Sequence, residues 1–220
     1  MLCCNEMGAS QQNKYKQLLL SLIFILVIPA LLPDIIDSFS ISLGILLSIL
    51  VFLRQFCLNN RLFRLYALFA TAGFLCDGFH LIAANGWYTW LAAVAADSIY
   101  FMFLLAAVLL IGREIFVGQQ VTNDTIVGGV CLYLILGVIW SLLYDNLFLL
   151  QQQAFRCVDP IAFFELLYFS FATLTTVGYG DIMPVTQLAK MAASLQGIVG
   201  ILFPSVFMAR LIGLYQLKHS

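Results

Sequence analysis

The sequence predicts an all-α membrane protein: six membrane-spanning helices, with one re-entrant helix and loop between the fifth and the sixth. Three observations lead there. Of the 220 residues 63% are hydrophobic and only 10% charged, where a soluble domain carries roughly 45–50% apolar and 25% charged residues. The apolar residues are gathered into six long runs, as a bilayer core about 30 Å thick demands at 1.5 Å of helix per residue. Between the last two runs lies a shorter apolar segment, 161–174, too short to cross, followed by Thr173-Leu174-Thr175-Thr176-Val177-Gly178-Tyr179-Gly180-Asp181.

Several classes are excluded by the same composition. The formal net charge is −1 with no basic patch, so no nucleic-acid partner is expected. There is no phosphate-binding glycine loop, no metal-ligand cluster and no nucleophile with its base, so neither an enzyme nor a cofactor is expected. The cysteines Cys3, Cys4, Cys57, Cys76, Cys131 and Cys157 show no metal spacing; most lie in or beside apolar runs, where they act as small hydrophobes. No disulfide framework is expected. Cys157 should face outside without a partner, and Cys3 and Cys4 read as plain thiols or as acylation sites.

In chain order, residues 1–17 form a short polar N-terminus, with Lys14 and Lys16 before the first span, 18–32. Two lysines before an apolar core also describe a signal peptide, but no small-residue cleavage site follows and further spans come directly after. Pro29 should bend the outer end of this helix, and Pro33 with Asp34 should stop it. A second span covers 39–58 and a third 62–84; Asn85-Gly86 then turns the chain. The fourth, 88–112, starts among Trp87, Tyr88 and Trp90, aromatic residues suited to the membrane interface. These four spans make one domain, 18–112. A linker, 113–125, leads to a second domain, 126–217, with an outer helix at 126–147 and an inner helix at 188–217. With the N-terminus inside, Lys14, Lys16, Arg54, Arg61, Arg64, Arg113, Arg210 and Lys218 fall on the cytoplasmic side, leaving Arg156 and Lys190 outside, so both termini read as cytoplasmic. Only Lys218, His219 and Ser220 follow Leu217, so no ligand-binding cytoplasmic domain is expected.

The stretch 175–181 holds the chemistry. An extended segment can aim successive carbonyl oxygens at one axis only if some residues take positive φ, which glycine does at almost no cost; this accounts for Gly178 and Gly180. The run follows a helix-like segment, lies between two long spans and ends in an aspartate. In that context it is identified as a potassium selectivity filter, and residues 125–217 resemble the two-helix pore module of the tetrameric potassium channel superfamily. The resemblance implies a homotetramer in a plasma or bacterial inner membrane, passing K+ passively between four copies of the loop. Rings of oxygen from Thr176, Val177, Gly178 and Tyr179 would replace the water of the ion, with Gly180 completing the run and Thr175 and Asp181 supporting it.

Around the filter, Asp159-Pro160 reads as a helix start, and by the same resemblance the C-terminal end of the pore helix, 161–174, would turn its partial negative charge toward a water-filled cavity and favour a cation there. Glu165 reads either as a lumenal acid or as a partnered structural group. The family usually has a Trp-Trp pair where this chain has Tyr168-Phe169. By that resemblance the Tyr168 hydroxyl should reach Asp181 behind the filter while Phe169 packs. Some bacterial relatives carry a glutamate where this chain has Ala172, so a carboxyl pair with Asp181 is not available. Gly197, Gly200 and Pro204 in the inner helix admit two readings, a gating hinge, with Gly200 at the family's hinge offset, or close helix packing.

By position the first four spans resemble a voltage-sensing domain, but the fourth lacks the repeated arginines that move in the field and has Arg113 only at its inner end. Weak or absent intrinsic voltage sensing is expected. Asp77, His80 and Asp97 are ionisable groups within the spans. They read as sensors of pH or ligand, or as structure, with Asp77 bonded to His80 and Asp97 to Ser98 or Tyr100. Two rival functions stand beside the channel, a potassium-uptake transporter subunit and a non-conducting regulatory subunit. Both filter glycines and a single pore loop speak against the first, and an intact filter against the second.

Overall fold

The computed structural model describes residues 14–31, 68, 71–73, 75, 87–117, 122–157 and 160–219. The second span and nearly all of the third lie outside the described residues, as do Asp77, His80, Asp159 and the cysteines at 3, 4, 57 and 76. The described elements are α1 (Lys14–Leu31), α2 (Trp87–Val117), α3 (Asn123–Leu150), β1 (Phe155–Arg156), α4 (Phe163–Leu174), β2 (Met183–Pro184) and α5 (Gln187–His219). Among them three helices, Trp90–Val117, Asn123–Leu150 and Gln187–Gln216, are long and apolar enough to cross a membrane.

Several boundaries differ from the sequence expectation. α1 starts four residues early, at Lys14, and runs through Pro29 to Leu31. α2 continues to Val117, and Thr122 caps α3, its hydroxyl accepting from the Thr125 N–H while the Thr125 hydroxyl accepts from the Thr122 N–H. A reciprocal cap at 122 fixes the start of α3, so the linker expected over 113–125 shrinks to 118–122. The all-α expectation gains a small exception: β1 and β2 pair antiparallel, Phe155 opposite Pro184 and Arg156 opposite Met183. This two-residue ribbon ties the loop after α3 to the loop before α5.

α3 is the hub. Tyr15, Leu18 and Leu22 of α1 and Tyr100, Phe103, Leu104 and Ile111 of α2 bury against Cys131, Leu132, Ile135 and Leu142 of α3, joined by Leu167 of α4 and Phe207 of α5. A second cluster, Tyr144, Phe155, Leu166, Phe169, Ile182 and Ala189, closes the loop-bearing end. In a bilayer lipid tails solvate apolar side chains as well as neighbouring helices do, so helices associate by close fit at small residues. Two glycines on α3 supply that fit. A Cβ on Gly129 would strike the Phe207 ring, and one on Gly137 would come within 2.5 Å of the Phe171 ring.

The ends of the helices define direction. Tyr15 Oη, at the start of α1, donates to Glu114 Oε2 near the end of α2 at 2.7 Å. At the opposite end Trp90 Nε1, near the start of α2, donates to the Leu149 carbonyl near the end of α3 at 2.9 Å. The start of α1 and the end of α2 thus share one side, and the start of α2 and the end of α3 share the other.

Candidate ion pathway

α4 is the platform for the 175–181 loop. It starts at Phe163 and not at 161, with Ala162 as its N-cap. Alanine offers no capping oxygen, so the cap comes from the other direction: the Glu165 carboxylate accepts the Ala162 N–H at 3.0 Å. Of the two readings of Glu165, this is the partnered structural one. Pro160 precedes the helix instead of opening it.

The C-terminal end of α4 is closed by the loop it delivers. Phe171 O accepts from the Thr175 N–H at 2.9 Å and from Thr175 Oγ1 at 2.7 Å. Ala172 O accepts from the N–H groups of Val177 (2.9 Å) and Gly178 (3.2 Å), and Thr173 O from that of Thr176 (3.0 Å). Leu174 O accepts from Tyr133 Oη of α3 at 3.0 Å. All four terminal carbonyls, the groups a helix end leaves open, are therefore used.

With its N–H groups turned back onto α4, the loop takes an unusual backbone. Thr176 (φ 61°), Gly178 (φ 56°) and Gly180 (φ 83°) are left-handed, and among the described residues Thr176 is the one non-glycine with positive φ. Glycine was expected there at 178 and 180; the threonine was not. A β-branched residue in this region is strained, and such strain collects at functional sites. Ordinary extended chain points successive peptide groups to opposite sides. Interleaving left-handed residues at 176, 178 and 180 with Val177 and Tyr179 cancels that alternation. Among the described residues nothing in the chain donates to the carbonyls of Thr176, Val177, Gly178 or Tyr179.

Behind the loop, Tyr168 Oη donates to Asp181 Oδ2 at 2.7 Å, and the Tyr168 and Tyr179 rings stack at 6.0 Å with an interplanar angle of 10°. The Ile182 N–H donates to Asp181 Oδ1 at 3.0 Å. The Tyr168 hydroxyl, then this backbone bond, hold the Asp181 carboxyl below its ordinary value of 3.8. Phe169 packs edge-on to Phe155 at 5.4 Å and against Tyr144 at 5.0 Å. Val177 and Tyr179 are 54% and 70% exposed in the single chain, so the loop face away from α4 is uncovered.

The three inner-helix residues separate. A Cβ on Gly200 would collide with the carbonyl oxygen of Leu174, which is backbone, whereas one on Gly197 would meet nothing within 4 Å. Gly200 is thus where α5 lies against the end of α4. α5 runs as continuous helix through Pro204 from Gln187 to His219. In α2, the Ser98 hydroxyl donates to Val94 O at 2.6 Å, so it is not the partner expected for Asp97. Cys131 and Cys157 are free thiols, the first buried. Sequence reading missed the buried side chains Tyr144, Ser170 and Gln196, because a tyrosine, a serine and a glutamine spread over 53 positions carry no spacing signal.

Two long helices flanking a short re-entrant helix and a loop of alternating backbone handedness form a pore module of an ion channel. Residues 128–216 match the family described as "Ion channel". That stretch is under half of the chain, and with three helices long and apolar enough to cross a membrane it marks an integral membrane protein carrying an ion-channel domain. No curated protein and no solved structure matches the chain.

Proposed function

We propose that the chain is one subunit of a homotetrameric, potassium-selective channel with six spans per subunit, carrying K+ passively and without intrinsic voltage gating. The observation that carries the reading is the backbone at Thr176, Gly178 and Gly180. It permits a row of carbonyls on one face, with Thr176, Val177, Gly178 and Tyr179 as the oxygen donors. One strand surrounds nothing, and dehydrating a cation takes oxygens on all sides; four copies supply them.

Two further observations support the assembly and the topology. The face of α5 bearing Leu188, Leu195, Ile198 and Leu202 is exposed in the single chain, apolar surface that further copies and lipid would cover. The start of α1 lies beside the end of α2, so the two helices run in opposite directions, which accommodates the second and third spans expected between them. Both termini then share a side with Lys16, Arg113 and Arg210, the cytoplasmic side by the retention of basic residues. α2 carries Arg113 as its one basic residue, too little charge for steep voltage dependence.

Reconstitution into liposomes tests the reading. Influx should follow a K+ gradient, be far smaller for Na+, and stop with barium on the filter side. Coupled uptake against a gradient would favour a transporter subunit, and tetramers without flux a regulatory one. A particle of fewer than four subunits would overturn the proposal.

A further inference from the structure

Behind the loop lies a hydrogen-bond chain that ion coordination does not use. Tyr144 of α3, Ser170 of α4 and Gln196 of α5 are each 0% exposed. Tyr144 Oη donates to Gln196 Oε1 at 2.5 Å. Gln196 Nε2 donates to the Ser170 carbonyl at 3.0 Å and to Ser170 Oγ at 2.8 Å. Ser170 Oγ in turn donates to the Gly137 carbonyl of α3 at 2.6 Å. Every direction is forced. The single proton of Ser170 goes to a carbonyl, which can only accept, so Ser170 Oγ must receive from the amide. A flipped amide would set the Gln196 oxygen against the Ser170 carbonyl oxygen, so the network allows one orientation.

Position gives the chain its meaning. Gln196 stands one turn before Gly200 in α5, and Ser170 one turn before Leu174 in α4. Gln196 bonds Ser170 and Gly200 abuts Leu174, so α5 is fixed to α4 at two successive turns, directly before Thr175. An apolar side chain of the same shape would pack there without the cost of burying an amide. A fully satisfied polar chain supplies what adhesion cannot, a single allowed geometry.

We propose that Gln196 is a positioning residue for ion selectivity. Its amide, oriented by Tyr144 and bonded to Ser170, sets where the last turn of α4 delivers the carbonyls of 176–179, and so which ion radius they fit. This rests on the potassium-channel reading above.

Gln196→Met and Tyr144→Phe each break the chain at nearly constant volume, and Ser98→Ala, an exposed hydroxyl on α2 bonded to its own helix, serves as control. The K+/Na+ flux ratio in liposomes is measured beside the heat stability of the tetramer. Both chain variants should lower the ratio by about tenfold, the effect of one lost buried hydrogen bond. The double variant should be no worse than the worse single one, and Ser98→Ala should match wild type. Wild-type ratios in both variants, even with lowered heat stability, would reduce Gln196 to a structural residue and overturn the proposal. Tyr144→Phe removes one oxygen and nothing else, so it decides the question should Gln196→Met not assemble. A wild type that passes Na+ as readily as K+ would instead remove the channel reading itself.

Discussion

The outer helix α3 and the inner helix α5 look alike in the sequence, apolar runs of 28 and 33 residues, yet their surroundings differ. In α3 56% of the most apolar window is buried; in α5 the figure is 17%. Helices before and after it in the chain press on α3, at Gly128 (from α1 and α2), Gly129 (from α5) and Gly137 (from α4). α5 touches its own chain along one face, buried at Ala189, Gln196, Gly200, Phe207 and Leu214 and flanked by the half-buried Ala192, Ala193, Phe203 and Leu211, and leaves the opposite face uncovered. In the homotetramer proposed above, one chain would complete the periphery of the module and leave its centre to be completed by other copies. Substitutions on the covered line of α5 should therefore act within the subunit, and those on the uncovered surface through the assembly.

The sharpest break in that comparison is Gly200→Ala. A methyl group there meets the Leu174 carbonyl, backbone already bonded to Tyr133. Overpacking costs typically 1–3 kcal/mol, and about the upper end where the obstacle is backbone. We expect loss of heat-stable tetramer on a detergent gel and loss of flux with it. Gly197→Ala meets nothing in its own chain and should leave subunit folding within about 0.5 kcal/mol of wild type. A Gly200→Ala protein as stable as wild type but with altered open probability would favour the hinge reading of Gly200.

What the sequence made legible follows the same divide. The spans, the short helix and the loop could be read because each is signalled by neighbouring residues: apolar runs, a glycine pair, an aspartate after it. The Tyr168–Asp181 bond was reachable through resemblance, being local to one loop. The positive φ of Thr176 was hidden because threonine disfavours it, and it goes with the bonds from Thr176, Val177 and Gly178 back to Thr173 and Ala172. The Tyr144–Ser170–Gln196 chain was hidden because it joins three helices. The close approach at Gly200 needed the position of Leu174, which no local pattern carries.

Next in size is the loop itself. Gly178 is left-handed with open space where a Cβ would stand, so Gly178→Ala should cost about 1–2 kcal/mol in backbone strain and nothing in contacts. The tetramer should form, with the strain expressed as a fall in the K+/Na+ flux ratio. Unchanged selectivity would show that the carbonyl row tolerates a right-handed residue, and would weaken the assignment of 176–179 as ion ligands. Gly137→Ala sets the contrast on α3. Its obstacle is the edge of the Phe171 ring, which can yield by a small rotation, so stability should fall by about 1 kcal/mol with selectivity retained.

The smallest expected effect is at the loop's outer end, where Tyr168 and Asp181 are tied within one chain but open to solvent. The Tyr168 hydroxyl is the main reason that the Asp181 carboxyl titrates below its ordinary 3.8. A carboxyl depressed in the folded state contributes stability that is present above the unfolded value and lost as pH falls through the folded one. Tyr168→Phe should therefore lower tetramer heat stability slightly and by a constant amount above about pH 5, with the difference from wild type closing below the ordinary carboxylate value. Solvent screening keeps the effect small. The decisive measurement is the Asp181 titration midpoint, followed by carboxyl-carbon resonance: it should move up toward 3.8 in Tyr168→Phe. An unmoved midpoint would mean that the hydroxyl does not hold the carboxylate, and that the outer end of the loop, like its uncovered face, depends on neighbouring copies for its support.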